Sequence, residues 1–218
     1  MFQTKLNFTA VIFLVELAFM PSSDLVLSSQ DVEEHELIRR VAEHDRTAFE
    51  RLYRHYVPRL GRYLNKYLQQ RELVEEVVND VMLVLWQNAA RFEPATARLS
   101  TWIFGIAHNK ARKAYARAGR HPTEPLPEDL EDLHNEAEPT QDLSTLGGPE
   151  QDLLSEDARR VLRQALEKLS PEQRAVVELT YFEGFAYQEI AAITGSNVNT
   201  VKSRMFHARK QLALLLAS

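Results

Sequence analysis

The sequence predicts an all-α protein: two small helical domains joined by a flexible acidic linker, the C-terminal one carrying a helix-turn-helix. Three observations lead there. Apolar residues recur at threes and fours from Asp31 to about Arg117 and again from near Ser155, with little of the alternation a strand needs. An acidic stretch from Glu124 to Glu150, punctuated by Pro125, Pro127, Pro139, Gly147, Gly148 and Pro149, separates the two patterns, and its few leucines show no period. In the second pattern, Thr194-Gly195-Ser196-Asn197 interrupts two helical runs at a glycine that can turn left-handed.

Each element has its own justification. Leu37, Ile38 and Val41 mark a short amphipathic helix. Phe49, Leu52, Tyr53, Tyr56, Leu60, Tyr63, Leu64 and Tyr67 mark a second, in which Pro58 predicts a break or kink. Leu73 to Trp86 forms a third, with Glu72, Glu75, Glu76 and Asp80 toward its start, where acids suit the helix dipole. After Pro94, Ser100 or Thr101 is the expected N-cap of a helix through Trp102, Ile103, Ile106, Ala107 and Ala114. In the second module a helix near Val161 to Leu169 precedes Ser170-Pro171-Glu172-Gln173, which fits an N-cap, a proline at the first helical position and a capping-box Gln. Gly184 ends the helix so opened, Tyr187 to Ile193 forms a short helix, and Val198 opens the last one.

Composition narrows the function classes. A chain of 218 residues has room for one or two domains with a sizeable core. It contains no cysteine, which removes disulfides, thiolate zinc sites and a cysteine nucleophile. No phosphate-cradling glycine loop and no GxSxG elbow is present, and His35-Glu36 fails as a zinc motif because Arg39 stands where the second ligand belongs. The reading is therefore of a protein that is not an enzyme, with no catalytic residue, cofactor, metal site or small-molecule substrate.

The formal charge of −5 argues against nucleic acid only as an average. Arg98 to Thr123 contains no acid, but holds Arg98, Lys110, Arg112, Lys113, Arg117 and Arg120. After Glu189 the chain is again free of acid and carries Lys202, Arg204, Arg209 and Lys210. Two basic modules thus flank an acidic tether. On a wheel of the last helix, Val198, Val201, Met205, Ala208, Leu212 and Leu215 share one face. Asn199, Thr200, Ser203, His207 and Lys210 lie opposite, with Lys202 and Arg204 at the flanks, which is equipment for reading base edges and holding phosphates. In the first module Trp102, Phe104 and Tyr115 beside cations suit single-stranded DNA through stacking and charge. Core packing is the competing reading for Trp102 and the preferred one for Phe104.

Both modules resemble a known family. Leu169-Ser170-Pro171-Glu172-Gln173-Arg174, Glu189-Ile190-Ala191, Gly195, Thr200-Val201-Lys202-Ser203-Arg204 and Ala208-Arg209 resemble region 4 of bacterial RNA polymerase sigma factors of the extracytoplasmic-function class. Glu76-Val77-Val78-Asn79-Asp80 through Leu85-Trp86, then Arg91-Phe92, resemble region 2 of that family. Thr101-Trp102-Ile103-Phe104 and Ile106-Ala107-His108-Asn109 resemble its promoter-melting helix. Asn79-Asp80 stands where the family usually has Gln-Glu, and Asn199 where it often has a small residue.

The resemblance implies a cytoplasmic specificity subunit that binds core RNA polymerase and directs it to promoters through −10 and −35 elements. It divides the chain into an N-terminal extension (1–30), a region 2-like domain (31–118), the linker (119–154) and a region 4-like domain (155–218). Glu76, Asn79, Asp80 and Trp86 would meet the clamp coiled coil of the largest polymerase subunit. Trp102, Asn109, Lys110, Arg112, Lys113 and Arg117 would hold the −10 element. Asn199, Thr200, Lys202, Ser203, Arg204 and His207 would read the −35 element. It also implies an anti-sigma partner, which in this family is often membrane-bound. The alternative is a helix-turn-helix regulator that works without polymerase, and the first module discriminates between the two. Residues Phe8 to Met20, apolar except for a few positions such as Glu16, lie outside the family pattern. They read either as an ordered or interaction-prone extension, or as sequence upstream of a true start at Met20 or later.

Overall fold

The structure, a computed structural model, describes residues 29–68, 70–117 and 156–217. Residues 1–28 and 118–155 lie outside it, and with them the apolar N-terminal run and the acidic linker. The described residues form eight α-helices and a short 3-10 turn, with no strand. None of these helices is long and apolar enough to cross a membrane.

Helices α1 (Ser29–Ala42), α2 (Arg46–Leu68), α3 (Arg71–Asn88) and α4 (Leu99–Arg117) build the first module. His44 takes a positive φ of 62° after α1. Asp45 then caps α2, its Oδ1 accepting from the backbone N–H of Thr47 and Ala48 at 2.8 and 3.2 Å. Leu52, Tyr56, Leu60, Tyr63 and Leu64 recur at helical spacing and are buried against Val77, Val81, Leu85, Ile103 and Ala107. That continuous buried face explains one departure from expectation. Helix α2 runs unbroken through Pro58, which sits on its exposed side. Burial on both sides of the proline outweighs the one backbone hydrogen bond it removes.

The expected N-cap of α4 is also corrected. The helix begins at Leu99, so Ser100 and Thr101 lie inside its first turn. Thr101 is buried and its hydroxyl donates elsewhere, to Glu189 of the second module at 3.0 Å.

Helices α5 (Glu156–Glu167), α6 (Pro171–Tyr181), α7 (Tyr187–Thr194) and α8 (Val198–Ala217) form the second module. Ser170 and Gln173 make the expected reciprocal capping box, at 3.2 and 3.1 Å. Gly184 and Gly195 both adopt positive φ, at 72° and 66°, as the two turns require. Val201, Met205 and Ala208 are fully buried, as the wheel of the last helix predicts. The Arg174 guanidinium is buried and donates to four carbonyls, those of Leu166, Glu167, Leu169 and Lys66. It thereby satisfies the open C-terminal end of α5 and reaches α2 of the first module.

Candidate nucleic-acid interface

Helix α4 works on three sides. Thr101, Phe104, Gly105 and His108 face the second module and the core. Lys110 turns toward α3, where its Nζ donates to Asp80 Oδ2 at 2.8 Å. Trp102, Ile106, Asn109, Lys113 and Arg117 recur at intervals of three and four along a further stripe. Asn109, Lys113 and Arg117 on it are exposed, as is Arg112 beside it. Trp102 is half-buried against Phe92, their ring centres 5.6 Å apart, so it has one face packed and one available. Phe104 is wholly buried between Tyr63 and Phe185, which gives it a packing role.

Under this helix, the Tyr63 hydroxyl and His108 Nδ1 share a buried hydrogen bond of 2.7 Å. Burial, reinforced by the charges of Arg112 and Arg204, pulls His108 down to about 4, so the imidazole is neutral at physiological pH.

On α3, Glu76 and Asn79 are exposed, while Asp80 and Trp86 are half-buried. Trp86 packs edge-on to Phe49 at 5.1 Å and lies against His44 at 5.6 Å. Sequence reasoning separated the acids of α3 from the cations of α4, yet the structure brings them together. Beyond Lys110 and Asp80, Arg117 lies 3.8 Å from Glu76. It also missed Leu83, an apolar residue 51% exposed beside Asn79 and Asp80. The spacing of Glu76, Asn79, Asp80 and Leu83 on one outward face was the available signal.

In the helix-turn-helix, Asn199 and Lys210 are exposed and Thr200, Lys202 and His207 are half-buried. Asn197 Oδ1 accepts from the Thr200 N–H at 2.7 Å, which caps α8. The wheel fails at Ser203, which it places on the outward face and which is only 1% exposed. A wheel ranks residues about one helix axis and carries no information on what covers the far side. Arg204 is half-buried, and its Nε is buried without a hydrogen-bond partner.

Comparison with known proteins decides what the two modules are. The Sigma-70 region 2 family matches residues 52–121, and the Sigma-70, region 4 family matches residues 159–212. The ECF RNA polymerase sigma factor RpoE of Cereibacter sphaeroides is 34% identical over 170 residues, covering 78% of this chain and 87% of that protein. The chain belongs to the ECF RNA polymerase sigma factors. The ECF sigma factor SigK of Mycobacterium tuberculosis is 29% identical over 178 residues, 81% of this chain and 89% of its own. Among solved structures, CnrH in complex with the cytosolic domain of CnrY aligns with a TM-score of 0.58 at 23% identity, covering 85% of this chain and 97% of that one. RpoE of Bartonella quintana, solved with the anti-sigma factor NepR, aligns with a TM-score of 0.53 at 24% identity, over 78% and 96% of the two chains. Both structures share the fold. As an ECF sigma factor the protein binds core RNA polymerase and confers promoter specificity. The region 2 match answers the alternative of a polymerase-independent regulator, for which that module has no use.

Proposed function

We propose that the two roles of the first module are carried by adjacent helices, polymerase binding by α3 and −10 recognition by α4. The observation that carries this is the outward chemistry of the two. The exposed face of α3 offers Glu76, Asn79 and the apolar Leu83, flanked by Asp80 and Trp86, which suits a protein partner with a complementary basic and apolar surface. The outward stripe of α4 carries Trp102, Asn109, Lys113 and Arg117 with Arg112 beside it, and no acid, which suits an unstacked base and its phosphates. Lys110 stands between them and is shared with Asp80.

In this reading residues 31–118 hold core polymerase and the −10 element, residues 155–218 hold the −35 element, and residues 119–154 connect them. Asn199, Thr200 and His207 face base edges, and Lys202 and Arg204 face phosphates. Ser203, which is buried, joins this −35 set on the family pattern alone. The protein works in the cytoplasm, performs no chemistry of its own, and recruits the chemistry of polymerase. An anti-sigma factor holds it inactive, as the cytosolic domain of CnrY and NepR are each seen bound to a protein of this fold.

The test is promoter opening by the complex of this protein with core polymerase. Asn109→Ala and Lys113→Ala should reduce permanganate reactivity of −10 thymines while core binding is retained. Undiminished reactivity would remove both residues from the −10 interface.

A further inference from the structure

Helix α1 buries one face and leaves another open. Leu37, Ile38 and Val41 are buried in the core of the first module. Elsewhere on the helix, Val32, His35 and Ala42 form one wall of a cavity of about 510 Å³. Ala90, Phe92 and Pro94, from the 3-10 turn and the segment after it, form the other. Val32 is 57% exposed there, and Ala90 and Pro94 are exposed too. His35 packs on Phe92 at 5.7 Å between ring centres, and its Nε2 is buried without a hydrogen-bond partner. Buried polar atoms nearly always have a partner in native proteins, so this wall reads as one half of an interface.

The same chain supplies a matching segment. Residues 8–20 are apolar except for Thr9 and Glu16. That run is short for a bilayer-spanning helix, which needs about 20 apolar residues, yet it is a large apolar stretch to leave in water. Residues 21–28 join it to α1 and can reach about 27 Å at ~3.4 Å per residue. The α1 wall of the cavity ends at Ala42, about 20 Å from Ser29 at ~1.5 Å per residue. The tether is therefore long enough to lay the run back along α1, and short enough to keep it there at high effective concentration. The one acid of the run, Glu16, complements His35 and the exposed Arg39 on that wall.

We propose that residues 8–20 dock into the cavity between α1 and residues 90–94, and so complete the first module over Val32, His35 and Phe92. Docking removes the apolar run and Val32 from water together, which is the driving force. It also brings a carboxylate, that of Glu16, to the wall that holds the unpartnered imidazole nitrogen. Phe92 has Trp102 of α4 as its other ring neighbour, at 5.6 Å, so the docked run braces the surface on which Trp102 rests. The geometry needs neither polymerase nor promoter, and it stands apart from the assignment of the −10 and −35 residues.

A distance measurement on the full chain tests it. The protein has no cysteine, so spin labels on Thr9→Cys and Gln87→Cys are the only ones present. Gln87 is exposed and lies in the turn of helix just before Ala90. Thr9 is about 20 residues from Ser29, and a flexible chain of that length spreads over roughly 25 Å. Docking should replace that spread with one narrow distance. Val32→Gln with Ala90→Glu makes two exposed cavity positions polar, and should broaden the distance while helicity is kept. Phe13→Ser with Leu17→Ser should broaden it from the other side of the contact, without touching α1 or the turn. A narrow distance that survives both pairs of substitutions overturns the proposal, as does a broad one in the parent. A narrow distance between singly labelled copies mixed together would give the cavity to a second copy of the chain, and overturns it equally. So does an intact mass showing that protein made from its native gene begins at Met20 or later.

Discussion

Lys110 of α4 donates to Asp80 of α3 at 2.8 Å, the shorter of two ion pairs, with Arg117 and Glu76, that join the two proposed interfaces. The Lys110 and Asp80 side chains are partly exposed, at 30% and 48%, and such pairs add at most about 1 kcal/mol of stability. The value of the pair is positional. It holds Lys110 against α3 and leaves the outward stripe of α4 to Asn109 and Lys113.

It follows that Asp80→Lys should weaken core polymerase binding strongly while lowering the melting temperature little. Isolated duplex binding by the second module should be unaffected. Equilibrium binding to core polymerase, alongside a thermal melt, checks this. A large loss of stability with unchanged core binding would return Asp80 to a purely structural role.

The proposed −35 reading of the last helix separates positioning from base contact. Arg204→Ala should weaken binding to every −35 duplex and lower the salt slope by about 1, the signature of one lost phosphate contact. Asn199→Ala should instead change which −35 sequence is preferred, by about 1–3 kcal/mol at the base it reads. Titrations over a range of salt and a set of −35 variants distinguish the two. Equal loss on all sequences for Asn199→Ala would contradict base reading.

Acid should destabilise the first module through His108. Burial, with the charges of Arg112 and Arg204, lowers its folded value from 6.5 to about 4. The unfolded chain therefore binds the proton more readily between those values, and stability is complete above pH 6.5 and falls as pH drops toward 4. The loss is on the order of 3 kcal/mol over that window. His108→Gln should flatten this part of the stability profile in chemical denaturation between pH 7 and 4. A variant with the parent's pH dependence would assign the effect to other groups.

Much of the fold was legible because its signals are local. The capping box at Ser170 and Gln173, the left-handed turns at Gly184 and Gly195, and the buried face of Val201, Met205 and Ala208 each follow from a few neighbouring residues. What escaped depends on partners distant in sequence. Thr101 looked like a helix cap because a threonine before an apolar run commonly is one, and its true acceptor is Glu189, in the other module. Ser203 looked exposed because a wheel sees one helix. The pairing of Lys110 with Asp80, and of Arg59 with Glu183, links positions that no periodicity connects.

Arg174 shows how far such a long-range role can extend. Arg174→Met keeps the bulk but leaves the carbonyls of Leu166, Glu167, Leu169 and Lys66 without their shared donor. The cost should be about 3 kcal/mol, visible as a lower denaturation midpoint of the second module. A midpoint unchanged from the parent would mean that other donors replace the guanidinium.

The central claim is that this chain gives core polymerase a promoter specificity that the polymerase lacks. Run-off transcription with bacterial core polymerase on a promoter library, with and without the protein, tests it directly. The expected result is a set of transcripts that require the protein and share −10 and −35 sequences. Core polymerase that gains no start site, while the protein still shifts duplex DNA, would contradict it.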